Sequence, residues 1–216
     1  MKILIACEYS GITRDAFAAM GHNAWSCDIL PSETPGNHYQ SDVREVLNLG
    51  WDMMIAHPPC TYLSCAGLHY CDTAKHGEKA IQRIAKRDDA VSFFLDLYNA
   101  PIHRICIENP QGYMSKVFRR PDQVIHPYYF GEREMKRTCL WLRNLPPLLW
   151  AAQNTLFETA TATPKPEPYQ IQVHKVTGKI KNRYWTDCSN SENYLNAHNR
   201  SKTFKSIANA MATQWG

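Results

Sequence analysis

The sequence has no long hydrophobic run, no secretion signal and no large excess of charge of one sign. None of its apolar stretches approaches the roughly 20 residues that a membrane-spanning helix needs. The apolar start, Met1–Cys7, is too short for a signal peptide, and an acidic residue follows it directly. With 44% hydrophobic and 20% charged residues in a chain of 216, we expect a globular protein of the cytoplasm with no membrane partner.

The chain also lacks the paired Cys-x-x-Cys spacing that is typical of zinc sites, although it contains eight cysteines. Without a secretion signal, reduced thiols are expected rather than a disulfide framework. A zinc site is the alternative for one group of thiol and imidazole side chains: Cys60, Cys65, His69, Cys71 and His76. Because Cys60 has a better role, given below, we predict no metal site.

Hydrophobic strands and amphipathic helices alternate along the first two thirds of the chain. Strands are predicted at residues 3–7, 24–28, 53–56, 104–107, 124–126 and 138–142, and helices at 11–20, 41–49, 80–99 and 201–215. Residues 29–40 contain Pro, Gly and Ser and are predicted to form a loop. The alternation predicts an α/β fold with a Rossmann-like, mostly parallel sheet and helices on both faces. The pattern fails in residues 145–197, which we predict to be a small irregular insertion between two parts of one main domain, 1–144 and 198–216.

The most informative stretch is residues 57–64, His-Pro-Pro-Cys-Thr-Tyr-Leu-Ser, which follows a strand-like hydrophobic segment. Its Pro-Pro turn carries Cys60 at the carboxyl end of that strand, the edge of an α/β sheet where ligands bind. The next predicted strand runs into Glu108-Asn109-Pro110. A thiol and a carboxylate at neighbouring strand ends are suited to attack and protonate an electron-poor ring.

The order of these motifs resembles that of the cytosine-5 DNA methyltransferases. Their Pro-Cys nucleophile motif, with an aromatic residue and a Ser after it, is similar to residues 59–64, with one extra residue before the Ser. Their Glu-Asn-Val motif is similar to residues 108–110, and their Gln-x-Arg-x-Arg motif to residues 133–137. Their Phe-x-Gly-x-Gly motif is similar to residues 9–13, where Thr13 replaces the second glycine. The chain as a whole resembles the short members encoded by phages and prophages.

The resemblance implies a class I methyltransferase domain that transfers a methyl group from S-adenosylmethionine to C5 of a cytosine in DNA. It implies that Cys60 adds to C6, that Glu108 binds or protonates N3, and that Asn109 orients the loop. Lys136 and Arg137 are expected to contact the base and to lower the pKa of Cys60. The target base must leave the helical stack, because the reacting atom is inaccessible in a duplex.

The resemblance also implies the residues around the cofactor, with Asp28 on the ribose hydroxyls and the C-terminal helix packed nearby. They are Tyr9, Ser10, Gly11, Ile12, Asp28, Ile29, Asp42, Val43, Pro58 and Asn209. We expect a monomer or a weak dimer, located in the host cytoplasm if a phage encodes it.

The net charge of +4, with nine histidines counted as neutral, permits a nucleic acid partner. We predict that basic residues in the insertion contact phosphates and that an aromatic residue beside them stacks on a base. Together with a serine of the nucleophile loop, the predicted DNA-binding residues are Ser64, Lys175, Lys179, Lys181, Arg183 and Tyr184.

Three alternatives remain open from the sequence. An amino-methyltransferase is suggested by residues 57–60, which distantly resemble the Asp/Asn-Pro-Pro-Tyr/Phe motif of that class. A related enzyme with a different one-carbon donor is suggested by Thr13 and Arg14 in the loop where a second glycine is usual. A DNA-binding protein with a degenerate methyltransferase fold is suggested by the same loop and by the short recognition segment.

Overall fold

The computed structural model describes residues 1–150, 164–168, 170–173, 177–184 and 202–216. The strands are β1 Lys2–Ala6, β2 Asn23–Asp28, β3 His38–Gln40, β4 Met53–Ala56, β5 Arg104–Pro110, β6 Gln123–Ile125, β7 Thr138–Arg143, β8 Gln170–Val173 and β9 Ile180–Arg183. The α-helices are α1 Ile12–Ala19, α2 Cys65–Leu68, α3 Thr73–His76, α4 Glu78–Tyr98, α5 Met114–Val117 and α6 Lys205–Trp215. Single 3-10 turns occupy Val43–Glu45, His69–Cys71 and Pro127–Phe130.

Strands β1 to β7 form one mixed, mostly parallel sheet in the order β3-β2-β1-β4-β5-β7-β6. The first five are parallel to one another, and β7 runs antiparallel between β5 and β6. The chain moves outward from β1 to β3 and then returns to place β4 on the other side of β1. The gap above β1 and β4 is therefore the point where the strand order reverses, the usual ligand crevice of such sheets.

The two central strands are hydrophobic throughout, because a sheet covered on both faces buries every side chain. Ile3–Ala6 and Met53–Ala56 have no exposed surface. Leu4 and Ala6 of β1 belong to the hydrophobic cluster that contains Phe94 of α4. Ile3 and Ile5 belong to the cluster on the opposite face, with Phe17 of α1 and Met211 of α6. The predicted α/β class, with helices on both faces of a mostly parallel sheet, is confirmed.

Several predicted boundaries are wrong. The predicted loop at 29–40 ends in strand β3, a short edge strand with the polar sequence His-Tyr-Gln that gives no hydrophobic signal. The predicted helix at 41–49 is a single 3-10 turn, although Asp42 does cap it by accepting a hydrogen bond from the Arg44 amide at 2.9 Å. Strand β5 continues through Pro110 because β7 pairs with it along its whole outer edge.

The prediction of an irregular segment at 145–197 is also wrong in part. The described residues of this segment include the antiparallel hairpin β8–β9. At its start the main core continues past residue 144: Leu148 is fully buried, and Trp150 stacks on Tyr129 with ring centroids 4.4 Å apart. The last helix begins at Lys205, after the predicted start at 201.

Within the described ranges no helix has both the length and the apolar character needed to cross a membrane. The seven cysteines that these ranges include are all free thiols.

Candidate active site

A cavity of about 770 Å³ lies at the carboxyl ends of β1, β2 and β4, over the reversal in strand order. Strand order therefore accounts for its position, because these ends meet at one edge of the sheet. Five of the predicted cofactor residues line it: Tyr9, Asp28, Ile29, Asp42 and Val43. Cys60 and His57 lie in the wall of the same cavity, together with the ring of Phe93.

The other five predicted cofactor residues do not line the cavity. Pro58 is buried behind the nucleophile loop, and Asn209 lies on the exposed face of α6. Ser10, Gly11 and Ile12 instead shape the turn between β1 and α1. Gly11 has φ of 75°, and a Cβ there would overlap the Thr34 hydroxyl, so the turn requires glycine.

The N-terminus of α1 is occupied by a carboxylate of the chain itself. Glu8, which is 5% exposed, accepts hydrogen bonds from the Thr13 amide at 2.7 Å and from the Arg14 amide at 3.2 Å. The Ser10 hydroxyl donates to the same carboxylate at 3.2 Å. These amides have no partner inside the helix, and the negative charge suits this end of its dipole. The amides at this helix end are therefore already hydrogen-bonded to Glu8 and are not open to an anionic ligand.

Arg14, which stands near the position of the missing glycine, is 1% exposed and fixes the loop after β2. Its guanidinium donates to the hydroxyls of Ser26, Ser32 and Thr34 at 3.2, 3.0 and 2.6 Å, and to the carbonyl of Pro35 at 3.1 Å. Ile29 lies at the start of this loop, in the cavity wall. Arg14, which stands near the position where a second glycine is usual, thus supports one wall of the cavity.

The loop after β4 turns tightly at the predicted nucleophile. The amides of Leu63 and Ser64 donate to the carbonyl of Cys60 at 3.0 and 2.9 Å. Ser64 forms a β-bridge with Gly112, in the segment that follows β5. A Cβ on Gly112 would overlap the carbonyl of Leu63, so close contact between the two loops depends on glycine at this position.

Glu108 is paired with His57, a residue not predicted as functional from the sequence. His57 Nδ1 lies 3.0 Å from Glu108 Oε2, and the two side chains are 8% and 13% exposed. Burial favours the neutral acid, but the hydrogen bond with His57 and the charge of Lys136 outweigh it and hold the pKa of Glu108 below its ordinary value. Since the ionised carboxylate can only accept, His57 Nδ1 carries the hydrogen. His57 Nε2 is buried and has no partner among the described residues.

Asn109 connects the two strand ends. It is 2% exposed, and its Nδ2 donates to the carbonyl of Pro58 at 2.9 Å. This is the contact that the expected loop-orienting role requires. The amide oxygen of Asn109 is buried and has no partner within the described ranges.

The expectation that positive charge lowers the pKa of Cys60 is wrong for the free protein. Although the residue is exposed at the cavity wall, reduced hydration raises the pKa of its thiol, and the charge of Glu108 raises it further. Lys136 acts in the opposite direction and only partly offsets them. Arg137 is exposed, and its charge acts on other groups: burial raises the pKa of Cys139 to about 11 against the effect of Arg137, and burial together with Arg137 lowers the pKa of His126. The structure therefore brings Lys136, and not Arg137, to the predicted catalytic pair.

The predicted DNA-binding residues are placed only in part. Ser64 lies directly before helix α2. Lys179 is exposed in the turn before β9, Lys181 and Arg183 belong to β9, and Tyr184 follows that strand half-buried. Lys175 lies outside the described residues.

No known family model and no curated protein sequence matches this chain. Over the described part of the chain, no three His, Cys, Asp or Glu residues are grouped as metal binding requires. What the site does combine is a thiol in the cavity wall with a hydrogen-bonded carboxylate and a cation whose charges both act on that thiol.

Proposed function

We propose that this protein is a DNA cytosine-5 methyltransferase that uses S-adenosylmethionine. The observation that supports it best is the position of Cys60 and of the His57–Glu108 pair. Cys60 and His57 follow β4, Glu108 lies near the end of the adjacent parallel strand β5, and Cys60 and His57 face the same cavity. A nucleophile and a proton-transferring carboxylate are the two groups needed to add to C6 of cytosine while stabilising charge at N3.

The cavity fits a nucleoside-containing cofactor. Its volume of about 770 Å³ is in the usual range for small-molecule sites. Asp28 ends β2 at the cavity; one of its carboxylate oxygens accepts from the Leu30 amide at 2.9 Å, and the other is suited to ribose hydroxyls. Ile29, Val43 and Phe93 give apolar walls for a purine. When bound, S-adenosylmethionine supplies an electrophilic methyl group.

The residues of the chain act on the base in a defined order. Cys60, as the thiolate, forms a bond from Sγ to C6, while Glu108 donates a proton to N3 so that C5 becomes nucleophilic. Glu108 is ionised in the free protein, so it takes up a proton from solvent before it acts, and the N–H of His57 Nδ1 holds its carboxylate in position. Lys136 favours the thiolate. Loss of the C5 proton to solvent, return of the N3 proton to Glu108 and expulsion of Sγ as the thiolate then restore the aromatic ring and both catalytic groups.

Trapping the covalent intermediate tests this proposal. The protein is incubated with S-adenosylmethionine and DNA containing 5-fluorocytosine, whose fluorine cannot leave as the proton does. We expect an adduct that survives denaturation and is absent from Cys60→Ser. Cys65→Ser is the matched control, because this exposed thiol lies five residues away and does not line the cavity. An adduct retained in Cys60→Ser, or none in the wild type under conditions where it binds DNA, would refute the proposal.

A second candidate keeps the thiol addition but uses another one-carbon donor. It is favoured by Glu8, which occupies the N-terminus of α1, and by the buried Arg14 beside the cavity loop. Mass spectrometry of the modified nucleoside separates the two functions, because a mass increase other than that of a methyl group identifies a different donor.

A further inference from the structure

A second hollow, of about 420 Å³, lies on the other side of the nucleophile loop. Its walls are basic and aromatic: Tyr62, Tyr70, His76, Lys79, Arg83 and Lys86. Tyr62 comes two residues after Cys60, and Thr61 between them lines the main cavity. The loop of residues 60–63 therefore separates the hollow from the main cavity.

Arg83 is held in a fixed position at the centre of this hollow. Its Nε donates to the carbonyl of Gly67 at 3.1 Å, and its Nη2 donates to the carbonyl of Thr61 at 3.0 Å. The guanidinium lies over the rings of Tyr62 and Tyr70, 4.9 and 5.4 Å from their centroids. A Cβ on Gly67 would overlap Arg83, so the approach requires glycine there. Such a guanidinium is preorganised, unlike one on a freely solvated side chain.

Two lysines of α4 stand at the edge of the hollow without an acidic partner among the described residues, and Lys86 Nζ lies 5.9 Å from the ring centroid of Tyr62. Lys79 and Lys86 are both exposed and lie about 10 Å apart along the helix axis, two turns from each other. Neighbouring basic residues do have acidic partners, Lys75 with Asp72 at 3.2 Å and Arg87 with Asp88 at 2.8 Å. No acidic side chain lines the hollow. This pattern leaves positive charge where an anion can approach.

We infer that this hollow binds the phosphodiester backbone of DNA next to the target base. The inference rests on the proposed function for the identity of the nucleic acid. Lys79 and Lys86 would contact separate phosphates, and the tyrosine rings fixed under Arg83 provide flat surfaces for a sugar or an unstacked base. Because Arg83 holds the carbonyl of Thr61, a strand bound here is in contact with the loop that carries Cys60. This surface is distinct from the basic residues of the β8–β9 hairpin.

The salt dependence of DNA binding tests this inference. Affinity of the full-length protein for a fluorescent duplex containing cytosines is measured by anisotropy over a range of salt concentrations. For Lys79→Gln and for Lys86→Gln, the slope of log affinity against log salt concentration should fall by about 0.9 each, the value for one lost phosphate contact. Arg104→Gln removes the same charge at the opposite edge of the sheet, where β5 begins, and should leave the slope unchanged.

The 5-fluorocytosine adduct separates failure of this inference from failure of the proposed function. Both lysine variants should still form the Cys60 adduct, and at low DNA concentration they should form it more slowly than the wild type. Slopes equal to the wild-type slope, in protein that still forms the adduct, would overturn this inference alone. A wild-type protein that neither binds DNA nor forms the adduct would overturn both. Since both lysines are exposed, thermal unfolding of the variants should match that of the wild type.

Discussion

His57 Nδ1 lies 3.0 Å from Glu108 Oε2 because the two residues occupy matching positions on adjacent parallel strands. Ala56 of β4 is paired with Ile107 of β5, so His57 and Glu108, which follow these two residues, project toward the same face of the sheet. The register of β4 with β5 therefore brings the two side chains together. It places the carboxylate next to a fixed hydrogen-bond donor and within electrostatic range of Cys60.

Replacement of His57 should reduce the methylation rate even where the fold is preserved. His57→Gln keeps an N–H donor for Glu108 but places it on a flexible side chain, and we expect the single-turnover rate to fall by about 10²-fold, the usual cost when a catalytic group loses its position. His57→Leu removes this donor altogether and should also lower the free energy of unfolding. Transfer of a radiolabelled methyl group to DNA measures the rate. A His57→Gln variant with the wild-type rate would show that His57 only fills space.

Acid should destabilise the protein through Glu108. The pKa of this buried carboxyl is lowered in the folded state, so its ionised form contributes stability above the unfolded value of about 4.3. This contribution is lost as the pH falls below that value and through the lowered folded pKa. Urea unfolding between pH 6 and pH 2 should therefore show a smaller loss of stability for Glu108→Gln. Equal pH profiles would mean that Glu108 is not held ionised by His57 and Lys136.

The reactivity of Cys60 should depend on its two charged neighbours in opposite directions. Glu108 raises the pKa of the thiol and Lys136 lowers it. Because the thiolate is the reactive form, Glu108→Gln should speed the alkylation of Cys60 by iodoacetamide at pH 8, and Lys136→Gln should slow it. Peptide mass mapping distinguishes Cys60 from the other cysteines, and Arg137→Gln provides the matched control with no expected effect. Rates that change together in both variants would exclude this arrangement.

The sequence reveals groups that directly follow a hydrophobic strand and conceals those positioned by distant parts of the chain. Cys60 and Glu108 were predicted because each comes after a buried run of residues. His57 precedes a Pro-Pro turn and gains its role only through the register of β4 with β5. The partners of Arg14 lie up to 21 residues further along, in a loop without periodicity. The start of β7 decides whether Lys136 or Arg137 approaches the site. The sequence predicts where this strand begins but not which way its first side chains point.

Asn109 should stabilise the turn before Cys60. Asn109→Ala removes the donor to the buried Pro58 carbonyl and should lower the free energy of unfolding by about 1–3 kcal/mol, the usual cost of an unsatisfied buried group. It should also slow adduct formation, because the loop that carries Cys60 loses its fixed contact with β5. Urea unfolding measures the first effect. Asn99→Ala, at an exposed helix end, should change stability by less than about 0.5 kcal/mol. A stable Asn109→Ala variant would mean that the turn is held by its prolines alone.

Arg14 should support both the fold and the cavity, although it stands near the position where a glycine was expected. Its fork reaches Ser32 through Nη1 and Thr34 through Nη2, and a single ammonium cannot satisfy both directions. Arg14→Lys should therefore lower the free energy of unfolding by about 3 kcal/mol, the scale for breaking a buried charged network. The loop after β2 should become cleavable by proteases, and S-adenosylmethionine should bind more weakly because Ile29 leaves the cavity wall. Unfolding in guanidinium chloride, limited proteolysis and calorimetry measure the three effects, with the exposed Arg120→Lys as control. Weaker cofactor binding without any loss of stability would point instead to direct contact between Arg14 and the ligand.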